Sequence, residues 1–263
     1  MSMGAQLLLG VVAAAGVAWG AWRAGALARS GAWAAFGVGA LIFGLGGWWW
    51  ACLLLVFFFS SSALSRLAVA RKRVLGEKFA KGSRRDWAQV LANGGVAAAL
   101  ASWHAWHPHA AWAWSAFAGA LAAVNADTWS TEIGVLSRRA PRHILSGKTV
   151  PRGTSGGVSL LGFAAALGGA LLIGWCGGMH TLNWRTLWAV AVGGFGGALL
   201  DSVLGATVQA VYFCPRCEKE TEHTPRHTCG ALTHHLRGWR WMDNDVVNFL
   251  ASVVGAFVAA LLA

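Results

Sequence analysis

The sequence predicts an all-α fold, a polytopic transmembrane bundle of about eight helices, and three observations predict it. Hydrophobic residues fill 56% of the 263 positions and charged residues only 12%, about half the charged share of an ordinary soluble domain. Long apolar runs divide the chain, each bounded by polar or charged residues. The cations are confined to the segments between runs: 20 of the 21 Lys and Arg residues fall in four of them, as the positive-inside rule distributes them. That distribution accounts for the net charge of +11, so nucleic acid is not an expected partner. The 35 glycines suit close helix packing in lipid. The 17 tryptophans, against a single tyrosine (Tyr212), partly supply interfacial belts.

Taken in order, the first run, 7–22, has no basic stretch before it and reads as a retained helix rather than a cleaved signal peptide. The apolar stretch 32–64 is either one bent helix or a hairpin broken at Gly44-Leu45-Gly46-Gly47. Charge favours the hairpin, 32–45 and 47–64. It sets Arg23 and Arg29 on the same side as the eight cations between Arg66 and Arg85. An unbroken helix gives seven spans and puts those two arginines on the wrong side. Further spans follow at 87–103, 111–124, 158–175, 186–210 and 246–262, several shorter than the about 20 residues that cross a bilayer upright. Eight spans leave both termini outside and Arg185 as the one cation there. The loops 65–86, 125–157 and 213–244 then face the cytoplasm, within a single domain 1–263 of a bacterial inner membrane.

The loop 65–86 is a topology determinant that attracts anionic headgroups, and the same field would attract an anionic lipid substrate. Directly after it, Gln89 and Asn93 stand one helical turn apart and predict a polar interior surface. His104, His107 and His109 are spaced for a metal, but Pro108 and the lack of acidic partners make them interfacial histidines instead.

The stretch 125–157, NADTWSTEIGVLSRRAPRHILSGKTVPRGTSGG, carries the chemistry. Asp127 and Glu132 open it, Arg138, Arg139, Arg142, Lys148 and Arg152 follow, and Gly153, Thr154, Ser155, Gly156 and Gly157 close it against the next apolar run. Carboxylates hold Mg²⁺, while cations and backbone N–H groups at a helix start hold phosphates. The stretch is therefore expected to handle a nucleoside triphosphate at the membrane edge. If helical, Asp127, Ser130, Thr131 and Gly134 share one face. The order of a Walker loop is absent.

Two later runs add polar groups. Asp201-Ser202 lies inside an apolar span, where an ionisable residue marks function by default; an interhelical hydrogen bond is the structural alternative. The last span opens with Asp243-Asn244-Asp245, and Asn244, Asn248 and Ser252 form one polar stripe. The aspartates either cap that helix or join an active-site wall. Between these runs, Cys214, Cys217, His227 and Cys229 within 214–230 have the spacing of a zinc knuckle, with His223 as the substitute fourth ligand. Cysteines in an inferred cytoplasmic loop favour metal over disulfides. Cys52 and Cys176 read as buried small hydrophobes.

The series QVLANGG, NADTWSTEIG, VPRGTSGGVS, GALLDSVLGATVQ, CPRC…HTCG and RGWRWMDNDVVN resembles the phytyl-phosphate kinase family of integral membrane proteins, long catalogued as a membrane domain of unknown function. The likeness covers nearly the whole chain, in order. A fainter similarity links Asp127-Thr128, Lys148, Gly153-Thr154 and Asp243-Asn244 to the motifs of CTP-dependent dolichol and phytol kinases. Val246-Val247-Asn248 departs from the Leu-Thr-Val-Pro found there, which leaves CTP and ATP open.

The resemblance implies transfer of a phosphoryl group from a nucleoside triphosphate to a membrane-embedded prenyl monophosphate. Asp127 and Asp201, with Asp243 or Asp245, are then the expected Mg²⁺ ligands. Lys148 and Arg152 bind phosphates with the amides of Gly153, Thr154, Ser155 and Gly156. Asn93, Asn244 and Asn248 orient the reacting groups, and Thr128, Ser130, Glu132 and Ser202 line the site. Zinc is structural, and a homodimer is the oligomer to consider. Two other readings stay open: a cytidylyltransferase making a CDP-linked lipid, and a transporter with Asp201 as its coupling site. The second lacks the internal repeat that transporters commonly show.

Overall fold

A computed structural model describes residues 2–72 and 84–263, so most of the basic part of the 65–86 loop lies outside the described residues. Each apolar run becomes a helix. In order these are α1 (Met3–Arg23), α2 (Arg29–Leu41), α3 (Trp48–Lys72), α4 (Trp87–Trp106), α5 (Trp112–Gly134), α6 (Leu160–Thr181), α7 (Trp184–Thr207) and α8 (Asn244–Leu262). The helix starts follow the side-chain chemistry. Asp86 and Gln89 close a capping box on α4, Ser159 caps α6 and Asp243 caps α8.

The stretch 32–64 turns back on itself. A π-helical turn, Ile42–Gly46, ends α2, and Gly47 then adopts φ +86 and ψ −164, a conformation open essentially only to glycine. Side-chain pairs fix the direction of α3. Trp50 meets Trp114, Ser61 meets Asn125 and Ser65 meets Glu132, so α3 runs parallel to α5. The segments before α2 and α4 meet in a parallel bridge, Leu27 with Arg85. The eight helices of the described residues therefore alternate in direction. One end of the bundle gathers 24–28, 84–86, 135–159 and 208–243; the other gathers both ends of the chain, Gly47, 107–111 and 182–183.

Five helical stretches are long and apolar enough to cross a membrane: Met3–Arg23, Trp48–Leu67, Leu160–Thr181, Trp184–Thr207 and Asn244–Leu262. Helices α4 and α5 have the length, 20 and 23 residues, but carry the amides, hydroxyls and carboxylates of the interior. The shorter α2 reaches a comparable length only with its π turn.

Helix α5 is the axis. It packs on α3, α4, α6, α7 and α8, and every residue from Ala113 to Ala126 is buried. Small side chains permit this crowding. A Cβ on Gly119 would strike the Gly255 carbonyl and Ala259 on α8, and one on Gly197 would strike Ala123 and, at 2.6 Å, the Ala251 carbonyl. Asn125 is fully buried and joins three helices: its Nδ2 donates to the Gly169 carbonyl at 2.8 Å, and its Oδ1 accepts from Ser60 and Ser61 at 3.0 and 3.1 Å.

Two segments depart from the sequence-based boundaries. Helix α5 continues ten residues past the expected end at Val124, to Gly134, so the acidic residues stand on its last turns rather than in a loop. Outside the helices lie a two-stranded ladder, β1 (Arg142–His143) with β2 (Gly157–Val158), and a sheet ordered β4-β3-β5 from β3 (Val211–Cys214), β4 (Lys219–Thr221) and β5 (His234–Arg237).

Candidate functional site

A cavity of about 670 Å³ opens at the loop-rich end of the bundle, bounded by α4, α5, α6, α7, α8, the 152–159 loop and the segment after β4. Helix α5 supplies its acidic floor. Asp127 follows the fully buried stretch and faces Asp201 of α7 closely enough for their carboxylates to interact directly, with Glu222 beside them. Asn244, Asp245 and Asn248 of α8 and Asn93 of α4 line the same space. Residues more than a hundred positions apart thus share one wall because α7 and α8 both pack on α5.

The hydroxyls are oriented by their own helices. Thr128 Oγ1 donates to the Val124 carbonyl at 2.8 Å, Ser130 Oγ to the Asp127 carbonyl at 3.0 Å, and Ser202 Oγ to the Ala198 carbonyl at 3.3 Å. With the proton used this way, each oxygen offers lone pairs to the cavity, which suits a cation more than a phosphate. Asp243 spends its Oδ1 on the N–H groups of Asp245 and Val246, both at 3.0 Å. It lines the cavity as the cap of α8, which leaves Asp245 the better placed of the pair to hold a metal. Glu132 is buried and accepts from Ser65 at 2.7 Å. Burial lowers the pKa of the neighbouring Arg85 guanidinium, and the charge of Glu132 opposes that shift.

The glycine loop lies over the end of α7. Gly156 has φ +78, and a Cβ there would strike Ala206. Thr154 and Gly157 close turns onto Pro151 and Thr154. Gly153, Thr154, Ser155 and Gly156 all face the cavity, as does Arg152, whose Nη2 donates to the Ser137 carbonyl at 2.7 Å. Arg152 therefore ties the loop to the end of α5.

Lys148 is the correction. It is exposed and absent from the cavity wall. The segment 142–149 folds back on itself, with His143 N donating to the Lys148 carbonyl and Gly147 N to the His143 carbonyl, both at 2.8 Å. That turn carries the lysine out of the site. Among the described residues the interior cation is Arg85 instead, held by backbone bonds to Ala26 and Ala28. Its position in a basic run disguised it as one more topology charge. Glu222 and Gln209 were also illegible: both stand in segments whose sequence signal was cysteine spacing or apolar periodicity.

Beyond the polar wall the cavity becomes apolar. Phe163 and Ala166 of α6 face Phe195, Ala198 and Leu199 of α7, and the two rings are 6.4 Å apart. One pocket thus joins a carboxylate and glycine-loop end to a hydrocarbon-lined end.

A second cluster lies in the β3–β5 module. Cys214, Cys217, His227 and Cys229 bring their ligand atoms within 4.8 Å of one another. Sγ of Cys214 and Cys229 are 3.6 Å apart, and Nδ1 of His227 lies 3.5 Å from Cys217 Sγ and 3.3 Å from Cys229 Sγ. Tetrahedral zinc with bonds of about 2.3 Å to sulfur separates two thiolates by about 3.8 Å, so the donor set fits that ion. His223 is outside the cluster, its ring 5.7 Å from that of His227. Elsewhere His104 stacks on Trp50 and His107 on Trp103. Cys52 and Cys176 are partly, not fully, buried.

The family model described as "Integral membrane protein DUF92" matches residues 12–256. Protein PGR of Arabidopsis thaliana is 31% identical over 225 residues, 76% of each chain. Uncharacterized membrane protein sll0875 of Synechocystis is 27% identical over 228 residues, 84% of this chain and 77% of the relative. Uncharacterized membrane protein MJ0933 of Methanocaldococcus jannaschii is 28% identical over 151 residues, 57% of this chain and 52% of the relative. No solved structure matches.

Proposed function

Since the chain belongs to the DUF92 family of integral membrane proteins, we propose that it is a membrane-embedded prenyl-phosphate kinase. It transfers the terminal phosphoryl group of a nucleoside triphosphate, CTP in preference to ATP, to a phytyl- or geranylgeranyl-type monophosphate. The observation that carries this reading is the amphipathic cavity: Asp127, Asp201 and Asp245 at one end, Phe163, Ala166, Phe195, Ala198 and Leu199 at the other. A soluble phosphate ester has no use for the second half, and a plain lipid has no use for the first.

The chemistry asks little of the protein beyond position and charge. An oxygen of the prenyl phosphate attacks the γ-phosphorus. A P–O bond forms there as the bond from that phosphorus to the β,γ-bridging oxygen breaks, and the nucleoside diphosphate leaves with the electron pair. The nucleophile is already an anion, so no strong general base is required. Asp127 and Asp201, with Asp245, would hold Mg²⁺, which when bound neutralises charge on the transferring group. The 153–157 loop offers backbone N–H groups at the start of α6, with Arg152 and Arg85 as the nearby cations. Asn93, Asn244 and Asn248 orient the two phosphates, and the tail lies between Phe163 and Phe195. In this reading all eight helices cross a bacterial inner membrane and the cavity opens to the cytoplasm.

The test is purified protein with phytyl, geranylgeranyl and farnesyl monophosphates against each of four nucleotides. The expected products are a prenyl diphosphate and a nucleoside diphosphate; release of pyrophosphate would mark a cytidylyltransferase and overturn the kinase. Asp127→Asn and Asp201→Asn should each lower turnover by about 100-fold or more with helical circular dichroism unchanged. Near-normal turnover in either would remove that residue from the metal site.

A further inference from the structure

The β3–β5 module is too small to hold itself. Its strands have 4, 3 and 4 residues, and an isolated sheet of that size is marginal in water. Its sulfur and imidazole donors converge with the spacing that zinc requires. Binding a metal there is folding free energy for the module.

What the module delivers is Glu222. This residue leaves the end of β4 midway between Cys217 and His227, so the chain on both sides of it is anchored in the donor cluster. Thr221 is buried and accepts from His223 N at 3.2 Å, and Thr233 Oγ1 donates to the His223 carbonyl at 3.0 Å, which fixes the backbone around it. The carboxylate itself points away from the cluster into the cavity. Its Oε1 accepts from Ser155 Oγ of the glycine loop at 3.1 Å and from Gln209 Nε2 at 2.8 Å, and it lies near Asp201. One carboxylate thus joins three parts of the site: the loop, the end of α7 and the acidic pair.

We propose that Cys214, Cys217, His227 and Cys229 hold a Zn²⁺ whose role is to position Glu222, and that Glu222 in turn sets the glycine loop against the Asp127–Asp201 pair. Glu222 is a positioning residue and a third carboxylate beside the Asp127–Asp201 pair. Its benefit to a bound Mg²⁺ rests on the kinase reading; the metal site and its mechanical link to the loop do not.

The experiment uses the full chain in detergent. Elemental analysis should give about one zinc per chain, and Co²⁺ exchanged into the site should show thiolate-to-metal charge-transfer absorption. Cys217→Ser and His227→Ala should each lower retained metal by at least about tenfold. Hydrogen exchange then reads the coupling. In the wild type, stripping the zinc should speed amide exchange in 211–237 and also in the 153–157 loop. In Glu222→Gln, stripping should affect 211–237 while the loop, already released, no longer responds. Mn²⁺ affinity, followed by electron paramagnetic resonance, should fall about tenfold in Glu222→Gln and in zinc-stripped protein alike, with helix content unchanged. Absence of zinc, or a glycine loop indifferent to its removal, would overturn the proposal. Intact coupling in a protein that turns over no nucleotide would uphold it and count against the kinase alone.

Discussion

Asn125 illustrates how single polar residues shape this protein before any chemistry is considered. It is fully buried, and its side-chain hydrogen bonds reach α3 and α6. Two residues later the same helix turns Asp127 into the cavity, so the amide that fastens α5 to α3 and α6 also fixes the acidic floor. Replacing it removes the acceptor of the buried Ser61 hydroxyl and the second bond to the Gly169 carbonyl, and an unsatisfied buried group costs about 1–3 kcal/mol. Asn125→Ala should therefore lower the thermal midpoint in detergent; a melting curve superimposable on the wild type would show that those groups find other partners. The structure also separates the polar residues by what they can give. Asp243 is engaged in capping, Lys148 is outside, and Asp127, Asp201 and Asp245 face the common space.

At the scale of elements, two devices set the helices at their places. The first is the break at Gly47, whose φ of +86 with ψ −164 lets α3 return antiparallel to α2 within one residue. A Cβ in that region costs about 1–3 kcal/mol. Gly47→Ala should thus destabilise the α2–α3 hairpin, seen as a lower midpoint of unfolding. A variant as stable as the wild type would mean that the hairpin can re-form its turn elsewhere in the Gly44–Gly47 run. The second device is the contact of α5 with α7 and α8 through Gly119, Gly197 and Gly255, where absent side chains let the axes approach. Gly197 lies one turn before Asp201 on α7, so this packing decides how close the two carboxylates come.

For the molecule as a whole, alternation of eight helices puts the cavity, the zinc-type donor cluster and, among the described residues, every Lys and Arg but Arg185 at the same end. In the proposed orientation the positive-inside rule sets that end in the cytoplasm. A membrane-impermeant thiol reagent should label Leu182→Cys in intact cells and Ser146→Cys only after permeabilisation, both positions being exposed. The reverse pattern would invert the orientation, and labelling of both in intact cells would break the alternation. Much of this was legible in the chain. Apolar runs and the segregation of Lys and Arg by themselves determined a mostly helical membrane protein, its eight helices and the end at which the polar chemistry gathers, because backbone groups in lipid must bond internally and charge must stay in water; the five short strands outside the helices were not legible. The cysteine spacing likewise marked Cys214, Cys217 and Cys229, which lie within sixteen residues of one another, while the structure chose His227 over His223 as the fourth donor. The rest belonged to tertiary structure. That Asp201 meets Asp127, that Arg85 rather than Lys148 is the interior cation, and that Glu222 reaches in from the module follow from packing around α5 and from a short turn at 142–149. Periodicity reports which face of an element is apolar; it carries no information on which distant element that face will meet.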